Sequence, residues 1–197
     1  NRVTRPCPTP PVEARPTSLA VTDIETWIRD PYALYAKRIL KLNPVDPLER
    51  EPDPMLKGTL YHAIMQDYIE GIETSAPQSE RLDYLKSLAD EHIHDQNLAE
   101  DTSLIWKLRF YEIAQAYIKW EEGYHLENNI AKVLCEIEGS IKVADNNFLL
   151  RARADRIDIA ADGSLHIMDY KTGQNPSVPQ AQTLSPQLAL EGLIAKQ

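Results

Sequence analysis

Arg151-Ala-Arg-Ala-Asp155-Arg-Ile-Asp158, a turn, and then Ile167-Met-Asp169-Tyr-Lys171-Thr-Gly173 is the stretch that decides the fold. From Ile130 to Lys171 apolar and polar residues alternate and β-branched residues are common, which predicts three strands over 131–142, 147–160 and 164–171. Asp145-Asn146-Asn147 and Asp162-Gly163 supply the turns. Side chains two apart on a strand share a face, so Asp169 and Lys171 point the same way as Leu165 and Ile167. An inward Asp-x-Lys is costly unless a metal, a substrate or a partner meets it. A loop of Ala161-Asp162-Gly163 pairs 160 with 164, and hence Asp155 with Asp169, with Cβ atoms about 4.5–5.5 Å apart. A two-residue loop would turn these acids to opposite faces. We therefore expect the odd-length loop, with Gly163 left-handed. Two carboxylates that close repel unless a cation lies between them, and oxygen ligands suit Mg²⁺ or Mn²⁺.

Upstream the period changes to that of helices. Thr22 can cap a helix over 23–29, and Asp30-Pro31 reads as cap and first residue of another, to about Leu40, with Tyr32, Tyr35, Ala36 and Ile39 facing the core. Prolines make 43–54 a loop. A helix should run from Gly58 to Glu70 on a stripe of Leu60, Tyr61, Ile64, Met65 and Tyr68. Two more fit 79–97 and 102–125, the first carrying Leu82, Leu85, Leu88 and Ala89. The second carries Leu104, Leu108, Tyr111, Ala114 and Ile118, and ends near Gly123. Ser185-Pro186 opens a last helix, to 196. Residues 1–17, with five of the 14 prolines in the first 16, read as a flexible tail or linker before a single domain over 18–197. Helices, a meander and a closing helix indicate an α+β (α/β layered) domain, a mixed sheet flanked by helices with a helical N-terminal part.

The chain has 197 residues, 43% of them apolar and 26% charged, which suits a globular domain. It begins at Asn1, as a piece of something longer would, and closing elements after Gln197 are expected to be missing. No apolar run approaches the ~18 residues of a membrane span. Cys7 and Cys135 are too few for a disulfide framework or a four-thiolate site, so a reducing, cytoplasmic location is expected. The net charge of −9 argues against a broad basic nucleic-acid surface but not against a local groove or a substrate delivered by a partner.

Asp155, fourteen residues, and Asp169-Tyr-Lys171 resemble the D…(D/E)xK core of the PD-(D/E)xK nuclease superfamily. Gly58-Thr-Leu-Tyr-His62 resembles the GxxxH motif of its RecB-like branch, and Gln187 stands where that branch has QxxxY. Residues 20–35 are similar to the nuclease entry of bacterial AddB-type helicase–nuclease subunits, so the resemblance covers about 19–196. It implies a restriction-endonuclease-like core, Mg²⁺ (or Mn²⁺) and DNA as substrate. The reaction is expected to be exonucleolytic, on single strands delivered by an AddA-like helicase partner during double-strand break repair and recombination. Carried over by residue, His62, Asp155, Asp169 and the backbone carbonyl of Tyr170 would hold the metal. Asp155 and Asp169 would serve catalysis with Lys171, which would activate water or stabilise phosphate charge, and with Gln187, which would orient the phosphodiester or Lys171. Gly58 would let helix and sheet approach closely. Glu191 replaces the family tyrosine. The iron–sulfur cluster of some relatives is not expected, since two cysteines cannot supply its four ligands.

Blander readings stand beside these. A lone histidine such as His62 is more often packed than ligating, and the downstream motif reverses that. His92 and His94 read as solvated; His125 and His166 take no role. Arg151, Arg153 and Arg156 could be cross-strand surface charges, the expected fate of at least one, but Arg151 and Arg153 share a face with Asp155 and could contact phosphates. Lys37, Arg38 and Lys41 could too, although the solvated side of a helix explains that run better. Asp158 faces away from Asp155. The aromatic residues Trp106, Phe110, Tyr117 and Trp120 read as core. The alternative function is a catalytically silent nuclease fold that binds or tethers DNA.

Overall fold

The computed structural model describes residues 7–42, 45, 54–73, 75–143, 148–173 and 177–196. The turn expected at Asp145-Asn146-Asn147, most of the loop 43–54 and residues 1–6 of the tail lie outside the described residues. Two compact units divide the chain. One comprises Asn1–Asp46, Gly139–Ala152 and Pro176–Gln197, the other Pro47–Glu138 and Arg153–Asn175.

In the first unit, Val12–Ala14 make a single 3-10 turn ahead of β1 (Ser18–Ala20). Helix α1 (Val21–Arg29) starts two residues before its expected first residue: Ala20, not Thr22, is the N-cap. The reason is Asp23, whose Oδ2 accepts the Ala20 N–H at 3.2 Å and so satisfies an otherwise orphaned donor. Helix α2 (Pro31–Arg38) opens as expected, with Asp30 Oδ1 accepting from the Tyr32 and Ala33 amides at 3.0 and 3.2 Å. Its buried residue is Leu34 rather than Tyr32, which is exposed. Strand β1 runs parallel to the start of β3 (Phe148–Ala160), pairing Leu19 with Leu150. Val21, Leu150 and Ile194 form the local core with Ile24, Ile141, Ala152 and Leu190. Two helices follow, α6 (Val178–Thr183) and α7 (Gln187–Ala195); the former was not expected. Gly139, on β2 (Ile130–Val143), is required there, since a Cβ on it would lie 2.6 Å from Ile194 Cγ2.

The second unit holds the long helices α3 (Pro54–Gly71), α4 (Gln78–His94) and α5 (Glu100–Asn128). The α3 stripe is the expected one: Leu60, Tyr61, Ile64, Met65 and Tyr68 are all buried. They pack on Leu85, Ala89 and Ile93 of α4 and on Trp106, Phe110, Ala114 and Ile118 of α5. The expected phase of the start of α5 was wrong. Leu104 and Leu108 are more than half exposed, because the 106–110–114–118 steps put the larger rings inward. Gly123 does not end α5; a Cβ there would meet nothing within 4 Å, and the helix continues until Asn129 caps it in the left-handed region, φ 48°.

Strand β4 (Leu165–Met168) pairs antiparallel with β3, Ile159 with Leu165 and Arg156 with Met168. This is the three-residue-loop register. Gly163 has φ +85°, and Ala160 N–H reaches Ser164 O at 3.0 Å. The strand is shorter than expected and stops before Asp169, and Leu165 is 37% exposed rather than buried. The buried face of β3 is the other one, carrying Ala154, Arg156, Asp158 and Ala160. A parallel pair beside an antiparallel pair makes the sheet mixed; with flanking helices the fold is α+β, of the restriction-endonuclease-like kind.

Candidate functional site

Four segments of the second unit converge on His62. It sits on α3, one turn after Gly58, where a Cβ would meet Thr172 Oγ1 at an ordinary 3.5 Å, so the approach is close without demanding glycine. His62 Nδ1 lies 3.5 Å from Asp155 Oδ1, and Nε2 lies 2.8 Å from the Tyr170 carbonyl oxygen. The Tyr170 N–H donates to Asp155 Oδ2 at 2.8 Å. One peptide unit thus offers its carbonyl to the imidazole and its amide to the acid. The β3–β4 register ends with Arg156 opposite Met168, and Asp169 is the next residue along the chain. The Asp169 carboxylate is nearly buried and holds Lys171 Nζ at 2.6 Å.

The hydrogen bond that His62 donates to the Asp155 carboxylate raises the pKa of His62; burial opposes it, and the Asp169 charge adds to the rise. Burial pushes the Asp155 carboxyl up, but the His62 imidazole and the Tyr170 amide outweigh it and leave the group below its ordinary value. Both shifts favour an imidazolium–carboxylate pair when no cation is bound.

Glu136 was missed by sequence reasoning. It offers an oxygen to a cluster with His62 and Asp155 in which one ligand atom from each lies within 4.8 Å of the others. Its φ is +53° in the middle of β2, a conformation that costs a non-glycine residue about 1–2 kcal/mol. This kink breaks the alternation from which the strand was read, so the sequence pattern did not aim the side chain. An imidazole nitrogen, two carboxylates and a neighbouring carbonyl form a hard, oxygen-rich donor set that fits Mg²⁺ or Mn²⁺.

The other expected contacts are distributed differently. Arg153 is ion-paired with Glu136, and Arg151 is exposed. In the first unit Lys37 and Arg38 both pair with the buried Asp23. Gln187 begins α7 and donates to Glu191 Oε1 at 3.0 Å. His92 is not simply solvated, since Nε2 meets Asp67 Oδ2 at 2.6 Å, whereas His94 is exposed. Arg156, one of the three arginines that could have been surface charges, is fully buried. It forks onto Asp158 at 2.6 and 2.8 Å, reaches Glu121 Oε1 at 2.7 Å and contacts Tyr117. His125 lies 2.8 Å from the same guanidinium, and His166 Nδ1 is 2.6 Å from the Tyr124 hydroxyl. Tyr117 is mostly interior, but Trp120 is substantially exposed and stacks on Tyr124, centroids 4.9 Å apart.

A mixed-sheet α+β fold thus sets an Asp-x-Lys segment, just past the end of β4, close after a histidine–carboxylate cluster whose donors suit a divalent cation. The family model described as the PD-(D/E)XK nuclease superfamily matches residues 18–197, and the chain belongs to that superfamily. It is also similar to proteins of Rickettsia bellii (33% identical over 185 residues) and Rickettsia felis (31% over 185), each called "uncharacterized protein". Each match covers 91% of this chain but 22% and 21% of the relative, so the chain spans about a fifth of the length of the curated relatives it matches. No helix among the described residues is long and apolar enough to cross a membrane.

Proposed function

We propose that this chain is the nuclease domain, spanning 18–197 after a linker, of a bacterial AddB-type helicase–nuclease subunit in the RecB-like branch. It hydrolyses DNA phosphodiesters with Mg²⁺ or Mn²⁺. The observation that carries this is the convergence of His62, Glu136 and Asp155 beside the Asp169–Lys171 pair.

In this reading His62, Asp155, Glu136, Asp169 and the Tyr170 carbonyl hold the cation. A divalent ion so held polarises a phosphoryl oxygen and brings the pKa of a bound water toward neutrality. Asp169 keeps Lys171 extended along the site, where its ammonium meets the charge that grows on the phosphate and orients the attacking water. Arg151 contacts the DNA backbone, and Arg153 does so while buttressing Glu136. Lys37 and Arg38, the second candidate phosphate patch, are assigned to neutralising Asp23 rather than to DNA, and Gln187 is assigned to orienting the phosphodiester or Lys171. A chain of net charge −9 holds DNA weakly by itself, which favours single-strand exonuclease work on a strand delivered by an AddA-like helicase partner, in cytoplasmic break repair and recombination.

The test is cleavage of 5′- and 3′-labelled single-stranded DNA by the full-length protein, with Mg²⁺ or with EDTA. Asp169→Asn and Lys171→Ala should each lower the rate by at least about 100-fold while leaving the thermal midpoint near wild type. Undiminished metal-dependent cleavage by either purified variant would refute the assignment. Absence of Mn²⁺ binding by wild type would favour the tethering role instead.

A further inference from the structure

Behind the candidate site lies a polar cluster that the proposed chemistry does not use. Glu121 of α5, almost fully buried, is its hub. Its Oε1 accepts from Tyr117 at 2.9 Å and from Arg156 at 2.7 Å; its Oε2 accepts from Tyr68 at 2.8 Å and from Arg81 at 3.2 Å. Arg156 is completed by Asp158, so two cations and two anions cancel inside the unit. A buried ionic group is no net source of stability compared with well-packed apolar residues of the same volume. Its presence calls for another explanation.

The connections give one. Tyr68 lies on the helix that carries His62. Arg156 is the neighbour of Asp155 on β3. The Tyr170 hydroxyl lies 3.4 Å from the Tyr117 hydroxyl, and the Tyr170 ring packs edge-on to those of Tyr117 and His62. Tyr170 is also the residue whose amide and carbonyl face Asp155 and His62. The cluster therefore contacts three of the four backbone segments that carry the site: α3, β3 and the segment of Tyr170. Among the described residues the pairing of β4 ends at Met168, before the 169–171 segment.

We infer that the Glu121–Tyr117–Arg156 cluster is a positioning device: by anchoring the Tyr170 side chain it fixes the Tyr170 peptide between Asp155 and His62. The inference rests on the functional reading above only in naming those two groups as metal ligands. Its first measurement needs no metal. Tyr117→Phe and Tyr170→Phe each delete one hydroxyl and keep the ring, so folding is preserved. In metal-free protein, amide exchange at Tyr170 should speed up about three- to tenfold in both, the loss expected for the Tyr117–Tyr170 hydroxyl contact that both variants remove. Amides of α4 around Leu85 should keep their protection. Leu85→Ala, a core truncation remote from the cluster, is the control and should loosen α4 while leaving the Tyr170 amide ahead of the rest. Mn²⁺ titration should then show weakened affinity in both tyrosine variants and none of that loss in the control. Unchanged exchange at Tyr170 in both variants, or a uniform rise across the unit, would overturn the inference. If exchange responds as expected but wild type binds no Mn²⁺, the positioning role stands and the metal reading falls.

Discussion

At the scale of single residues, the His62–Asp155 pair makes the metal-free protein respond to pH in a definite direction. His62 binds its proton more tightly when folded, so its contribution is complete below the ~6.5 of an exposed imidazole and fades as pH rises through the elevated folded value. Asp155 behaves oppositely: its contribution is complete above ~3.9 and disappears as pH falls through its lowered folded value. The two overlap between about pH 4 and about pH 6.5, where the pair stabilises most. Urea denaturation in EDTA should therefore find His62→Ala most damaging near pH 5 and less so near pH 9 (both order-of-magnitude positions on the scale). A penalty that grows with pH would mean the imidazole enters the fold uncharged. The same imidazolium competes with a cation, so Mn²⁺ affinity should fall on acidification.

At the scale of elements, the β3–β4 hairpin is where a turn residue controls chemistry. Gly163 has φ +85° and open space around its Cα, so a substitution there is penalised through the backbone alone. Gly163→Ala should cost about 1 kcal/mol and Gly163→Asn less, since asparagine tolerates the left-handed region. Equal costs in a urea series would show that the strain is not at this residue. This hairpin was legible because turn chemistry and a period of two act within a dozen residues. The α3 stripe was legible for the same reason. The start of α5 was not: Leu104 and Trp106 are both apolar, and only the opposing helices decide which turns inward. Nor was Arg156, whose counter-charge on Glu121 comes from a distant helix, nor Glu136, whose backbone kink hides its aim from any regular pattern. His62, Asp155, Asp169 and Lys171 could be named as candidates because a spaced motif picks them out without tertiary knowledge. The cluster that positions Tyr170 has no such signature.

At the scale of the whole chain, the negative balance is arranged so that cations are committed to particular acids: Arg153 to Glu136, Arg81 and Arg156 to Glu121, Lys37 and Arg38 to Asp23. The last group separates a structural role from a DNA-binding one. Burial pushes the Asp23 carboxyl up, yet Arg38, the Ala20 amide and Lys37 together bring it below its usual value. Removing Arg38 leaves that acid inside the first unit with fewer partners. A fully buried pair would lose about 3–5 kcal/mol, but Arg38 itself is about a third exposed, so about 1–2 kcal/mol is expected for Arg38→Ala. The loss should fade as pH falls through the lowered folded value of Asp23, below which the carboxyl is protonated in either state. A cation that contacts phosphate adds about one to the salt slope of DNA binding, whereas one neutralised by Asp23 adds little. Arg38→Ala should thus lower stability while leaving the slope of log affinity against log salt unchanged. A slope reduced by about one at unchanged stability would instead make α2 part of the DNA track.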